Sequence, residues 1–294
     1  MITKNAFTTL RKQFSLAFVL ITTGFCIASP PNTTAVDFSI LIYNFQKNRV
    51  LYCKDNLKKF KKNLLLFHLL KPALLYSALF KEKLNIEKIK LFCARKRPHD
   101  DFNEHCWKTT GHGNINLQEA LEKCCHSWFQ QLCYRMRKKK ALYHHLIDIN
   151  LNTTPFDLRY ELYDFLNAEF RIRPIDIFLF YQVFFNGGYL FNTSDLKRLE
   201  SFKLLKVFKY PLDLNKILTK GMSHCTEIGP ARAFNKYIHA KSHAQIGSFK
   251  EGGDKFGICI IFLKPLSIMV IKKNDNGKMA AEIAGRFLHN SGFR

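Results

Sequence analysis

Three groups of residues have types and spacings suited to chemistry. The first is rich in thiols: Cys93, Cys106, Cys124, Cys125 and Cys133 crowd one region, with His105, His112 and His126 among them. Cysteine and histidine suit zinc, but structural zinc sites announce themselves by closely spaced cysteine pairs and fixed histidine intervals. No C-x2-C occurs here, and the histidines match no zinc-finger interval. The expectation is therefore a helical region stapled by disulfides, whose pairing the sequence leaves open. The second group is His144-His145 with Asp148, a metal or base site on paper, and Cys225 with His224 or His239, a thiol-imidazole pair. Neutral surface histidines are the commoner case, and no accompanying motif surrounds Cys225. The third is the stretch from Pro174 to Asp195. It holds a carboxylate at Asp176, the Gly187-Gly188 pair and the polar run Asn192-Thr193-Ser194-Asp195. Asn186-Gly187 between aromatic and β-branched flanks signals a β-hairpin. The alternative is helix, turn, strand and polar loop, with Pro174 in a first turn, Gly187 past the helix end and Tyr189–Phe191 a buried strand.

The second arrangement resembles the donor-site region of glycosyltransferases with a DXD motif, as in the α-1,4-galactosyltransferase and yeast-type initiating mannosyltransferase families. Asp176 takes the place of the first Asp in their Ser-Asp-x-x-Arg-Tyr pattern, and the spacing to Gly187-Gly188 is kept. Tyr189-Leu190-Phe191 fills the apolar strand, and Asn192-Thr193-Ser194 falls on Asp-x-Asp. Leu179 and Phe180 replace the Arg and Tyr, and Asn192 and Ser194 replace both metal-binding carboxylates. The resemblance implies a GT-A-like nucleotide-sugar fold: an α/β mixed sheet with flanking helices and a helical N-terminal half. It implies donor binding by Asp176, Gly187, Gly188, Asn192 and Asp195, with a nucleotide sugar and a glycan acceptor as partners. Two carboxylates ordinarily hold a divalent cation that offsets the diphosphate charge. With Asn192, Ser194 and Asp195 as the remaining oxygen donors, Mn²⁺ or Mg²⁺ is expected to bind weakly, which leaves two alternatives open: transfer of a hexose from a nucleotide sugar, or a glycosyltransferase-like protein without activity.

Several elements position these residues. Phe38–Tyr43 reads as a stem or a first strand. Leu57–Phe92 has helical spacing and divides at Lys71-Pro72, while His68 and Lys71 interrupt an apolar run that would otherwise suggest a membrane span. Cys93–Gly113 is loop-like, and Asn116–Lys139 is helical with Leu117, Leu121, Trp128, Leu132 and Met136 at three-to-four spacing. Tyr143–Leu151 is a candidate strand, and Thr154-Pro155 starts a helix to about Phe170. The last third gives a helix near Ala231–Ala240, strands at Phe256–Leu263 and Leu266–Lys272, a turn at Asn274–Gly277 and a helix Lys278–His289. Glu251-Gly252-Gly253-Asp254 reads as a mobile loop.

The chain has 294 residues, 47% hydrophobic, enough for a real core and incompatible with wholesale disorder. Its net charge is +23, spread along the whole length. Lys4, Arg11 and Lys12 precede the uncharged run Phe14–Ala28, and Ser29-Pro30-Pro31 breaks it. That is the layout of a signal peptide cleaved after Ala28, or of a signal anchor. Residues 1–28 are thus read as a targeting segment, 29–56 as stem and 57–294 as one α/β domain, placed in the secretory pathway as a Golgi or secreted glycoprotein. Sequons stand at Asn32, Asn152 and Asn192. Three functions fit: a lumenal glycosyltransferase-like protein, a secreted non-enzymatic basic protein binding acidic glycans or lipids, or an intracellular RNA-binding protein. The last draws on charge and on Asn276–Leu288, which looks like the closing helix of a double-stranded RNA-binding domain.

Overall fold

A computed structural model of the chain describes residues 37–94, 106–108, 110–136, 139–149, 151, 171–192, 202–208 and 210–292. All belong to one unit, Thr33–Arg294. Its centre is a five-stranded antiparallel sheet built from the two ends of the sequence. Strands β1 (Phe38–Asn44) and β2 (Arg49–Lys54) come from one end, and β7 (His243–Glu251), β8 (Asp254–Leu263) and β9 (Leu266–Lys273) from the other. The order is β2-β1-β9-β8-β7, and β1 pairs with β9 from Phe38↔Lys272 to Asn44↔Leu266. The segment 29–56 therefore contributes two sheet strands. Six consecutive residues of β9 and eight of β8 are buried. Such unbroken burial means that both faces of the sheet are covered.

One face carries helix α7 (Lys278–Asn290), which packs on β8 and β9. Asp275 caps it, its Oδ2 accepting from the Ala280 amide at 2.9 Å. The start of α7 comes so close to β8 that a Cβ on Gly257 would stand 2.2 Å from the Gly277 nitrogen. The other face carries the helices of the middle of the chain: α1 (Lys71–Tyr76), entered through a 3-10 turn at Phe67–Leu69, then α2 (Leu117–Glu122), α3 (His126–Arg135), α4 (Lys139–Asp148), α5 (Pro174–Gln182) and α6 (Leu212–Glu227). Two short ribbons flank them, β3 (Leu91–Cys93) with β4 (Gly113–Ile115) and β5 (Tyr189–Asn192) with β6 (Lys203–Val207).

The helix expected over Asn116–Lys139 is real but broken. Asn116 opens α2 with a capping box to Glu119, satisfying amides that a helix start leaves free. Cys124, with a left-handed φ of 48°, ends it, and α3 restarts two residues later. Tyr143–Leu151 is helix and short tail instead of strand, because Leu142, His145, Leu146 and Ile149 are its buried positions, a spacing of three to four. Glu251–Asp254 is a tight hairpin turn, with Gly252 and Gly253 at positive φ. The Glu251 carboxylate pairs with both Lys59 and Lys62, so it is an anchor instead of a mobile loop. The segment expected as a helix from Thr154-Pro155 lies outside the described residues, as do Asn32, Asn152, Ser194 and Asp195.

Candidate functional site

Around Asp176 the local elements are those of helix, turn and strand, and the topology is not that of a nucleotide-sugar site. Among the described residues, strand β5 pairs only with β6, antiparallel, in a two-stranded ribbon separate from the central sheet. A nucleotide site of the expected kind needs the carboxyl ends of strands in an open parallel sheet, and none of the described sheets is parallel. Asp176 is engaged at the start of α5, where Arg173 grips both its oxygens at 2.6 and 2.8 Å. Gly187 and Gly188 serve a turn in which the Asn186 side chain accepts from the Gly188 and Tyr189 amides at 3.1 and 2.9 Å. Asn192 ends β5, opposite Lys203 in the ladder.

The structure gathers a different set of polar side chains between α1, the α2–α3 turn and β7. His68 and Lys71 enter from the start of α1, Cys124 and His126 from the turn, and Gln245 and Gly247 from β7. All five side chains are at most 8% exposed in a largely apolar core. Burying polar groups at this density costs stability unless they are paired. Gln245 Nε2 reaches the Cys124 sulfur at 3.1 Å, and the Cys225 sulfur on α6 lies 3.2 Å from it. The His68 and His126 rings meet edge to face at 5.8 Å, and the Lys71 ammonium sits over the Phe129 ring at 5.4 Å. Gly247 is required by space: a Cβ there would stand 1.8 Å from His68 Cδ2. Among these residues the sequence singled out only Cys124 and His126 as chemistry, in a zinc test they failed. A lysine inside an apolar run, preceded three residues earlier by a polar side chain, was the available signal for His68 and Lys71.

Beside this centre lies a second cluster. Cys93 at the end of β3, Cys106, His112 just before β4 and Cys125 in the α2–α3 turn place their ligand atoms within 4.8 Å of one another. The His112 Nδ1 is 3.1 Å from the Cys106 sulfur and 3.6 Å from the Cys93 sulfur. A tetrahedral zinc with its usual bond lengths sets such atoms about 3.5–3.8 Å apart. Hydrogen bonds from Cys106 and Cys125 hold the Cys93 thiol far below its ordinary value, while hydrogen bonds to Cys106 and Cys93 push the Cys125 thiol far up. Three thiols this close resist carrying more than one negative charge unaided. The described cysteines are free thiols and not the expected disulfide staple, and four of these side chains stand close enough together to hold one metal ion. No zinc spacing is legible in the sequence because these four residues come from separate segments and not from one knuckle.

His144 and Asp148 are exposed on α4, whereas His145 is buried, its Nε2 2.8 Å from the Tyr210 hydroxyl and its ring stacked on Tyr76. The three form no common site. Burial, with the Lys81 and Lys206 charges acting the same way, holds the His145 imidazole down at about 3. The unfolded chain binds this proton near the usual pH 6.5 and the folded one does not, so the His145 contribution to stability is complete above pH 6.5 and falls as pH drops towards 3. Between pH 6.5 and 4.5 the loss through this residue should be roughly 2–3 kcal/mol. Urea titrations at the two pH values, on the wild type and on His145→Gln, isolate it. An equal acid loss in both proteins would show that His145 does not titrate this way.

Comparison with known proteins places the fold. No family model matches the sequence, and no curated protein matches it. Solved structures do. Penicillin-binding protein 2 from Helicobacter pylori superposes with a TM-score of 0.65 over 87% of this chain and 60% of its own, at 13% identity. The TP domain of Burkholderia pseudomallei penicillin-binding protein 3 gives 0.61 over 86% and 87%, at 10% identity. Penicillin-binding protein 2 of Pseudomonas aeruginosa gives 0.63 over 87% and 73%, at 12% identity. The chain thus has the fold of penicillin-binding-protein transpeptidase domains and spans about 60% of the Helicobacter protein's length. This overturns the glycosyltransferase resemblance, with its Golgi setting and its nucleotide-sugar and glycan partners.

Proposed function

We propose that this chain is a non-acylating protein of the transpeptidase fold, a binding and structural subunit with its reaction centre packed shut and the adjoining turn held by zinc. Penicillin-binding proteins acylate a serine in Ser-x-x-Lys and carry further Ser-Asp-Asn and Lys-Thr-Gly segments. This sequence contains no Ser-Asp-Asn and no Lys-Thr-Gly, and its one Ser-x-x-Lys, Ser194 to Lys197, lies outside the described residues. We read three converging segments as standing in their place with other chemistry: His68-Leu69-Leu70-Lys71, Cys124-Cys125-His126 and Gln245-Ile246-Gly247. The hydroxyls have become imidazole and thiol, and the second cation an amide. The observation that carries the proposal is the contact of His68 with Gly247, which fills the space beside β7 and leaves neither a serine hydroxyl nor room for an acyl group.

Cys93, Cys106, His112 and Cys125 suit zinc in a closed structural site, with four ligands and no open position for water. Their role is to tie the β3–β4 ribbon to the turn that delivers Cys124 and His126. A protein partner fits such a scaffold, as the Helicobacter protein is known in complex with MreC. The basic and then apolar N-terminus fits work outside the cytoplasm. Incubation with a fluorescent penicillin followed by a denaturing gel is the test. The full chain should carry no covalent label at concentrations that label an active penicillin-binding protein completely. Stoichiometric labelling would overturn the reading and turn attention to Ser194.

A further inference from the structure

We propose that Cys124 and Cys225 form a reversible disulfide that locks the α2–α3 turn to α6. The two sulfurs are 3.2 Å apart, from residues 101 positions distant in sequence. Both are buried. A disulfide needs its two backbones close together, with sulfurs about 2.0 Å apart and Cα atoms within about 7 Å. The packing of α2 on α6 provides that approach. A Cβ on Gly221 of α6 would stand 2.5 Å from the Leu121 Cβ, and one on Gly229, just past α6, would stand 2.4 Å from the Glu122 carbonyl oxygen. Those two glycines bring the chains together on either side of Cys225, opposite the end of α2 where Cys124 sits. Cys124 has the left-handed φ that turns the chain, so its side chain points to α6 while that of the adjacent Cys125 joins the four-ligand cluster. The two neighbouring cysteines thus have separate partners on opposite sides of one turn.

The step balances with a small-molecule disulfide such as glutathione disulfide as oxidant. Two S–H bonds and the oxidant's S–S bond break, one protein S–S bond forms, and the two electrons and two protons leave as two molecules of thiol. The sulfurs must close by about 1.2 Å to reach bonding distance, a movement within the reach of a turn.

The experiment uses the full chain, reduced, loaded with zinc and then equilibrated with glutathione disulfide. Acid quenching, alkylation in denaturant and proteolytic mapping without reductant follow. The expected result is a linked peptide pair containing Cys124 and Cys225, a loss of about 2 Da from the intact mass for the two hydrogens, and zinc content unchanged. Cys225→Ala should abolish the linked pair and leave Cys124 fully alkylated. Recovery of both residues as alkylated thiols after oxidation would overturn the proposal, as would a bridge from either one to Cys259 or to a cluster cysteine. The wild-type map decides the question even if the variant folds poorly. Zinc content on the same sample reports separately on the metal, so failure of one assignment is not mistaken for failure of the other.

Discussion

Stripping the metal from the Cys93, Cys106, His112 and Cys125 cluster should lower the melting temperature by on the order of 10 °C. A ligand present at a thousandfold its dissociation constant stabilises by about 4 kcal/mol, and each kcal/mol moves the midpoint of a domain this large by about 2–4 °C. The protein should be isolated with one zinc per chain, and Cys125→Ser or His112→Ala should remove it. Loss of metal leaves three thiols and an imidazole crowded in a buried site, so the β3–β4 ribbon and the α2–α3 turn should loosen before the central sheet does. Hydrogen exchange with and without a strong chelator resolves that order. Because the ligands must lose protons to bind, affinity should fall as pH is lowered. A metal-free protein with the same melting temperature in chelator and in excess zinc would end the assignment.

The second large effect is expected at Gly247. Gly247→Ala should cost about 3 kcal/mol, at the upper end of ordinary overpacking, because the added methyl lies 1.8 Å from one ring atom of His68 and 2.0 Å from another. His68 is 5% exposed and meets His126 edge-on, so its ring has no open side to which it can retreat. No positive φ is involved at this position, and the penalty is one of volume. In a His68→Ala background the same substitution should be nearly neutral, giving a coupling of about 3 kcal/mol in a double-mutant cycle from urea denaturation. If Gly247→Ala costs the same in both backgrounds, the imidazole is not what fills the space beside β7.

The parts of the fold legible in the sequence were those whose signals are local. Strands β8 and β9 are unbroken apolar runs separated by a turn, and α7 follows an Asp-Asn-Gly stop, so their bounds came within two residues of those observed. The helix at Pro174 and the strand at Tyr189 were equally local, but the burial expected of Tyr189–Phe191 was not met: of the three only Leu190 is buried and Tyr189 is exposed, because the strand lies in a two-stranded ribbon and not in a covered sheet. What each strand pairs with was not legible. The strand β1 finds β9 across more than two hundred residues, and no short pattern encodes that choice. Strand β7 was overlooked because His243–Glu251 mixes glycine, serine and charge with its apolar residues. Its burial comes from α6 and from the 3-10 turn before α1 packing on it, a tertiary effect that local β-propensity does not contain. The candidate site was hidden for a related reason. Its residues come from three segments joined only by folding, and no single one carries a recognisable motif. A glycosyltransferase pattern was matched instead because helix, glycine turn and strand recur in many folds, and the pattern holds no information about which sheet the strand enters.

The ribbon of β5 and β6 exposes Tyr189, Leu204, Leu205 and Val207, on a strand with a single described neighbour. An apolar edge of that kind is a template on which a second copy could add a strand. Lys203 and Lys206 interrupt the run, and every copy approaches with the same excess of positive charge. Mutual repulsion therefore acts as the colloidal guard of this edge. It reaches only about 10 Å in 0.1 M salt and about 3 Å in 1 M. Suspensions of the protein should accordingly be more stable in dilute buffer than in concentrated salt, and polyanions that neutralise the lysines should promote self-association, which light scattering across a salt series would check.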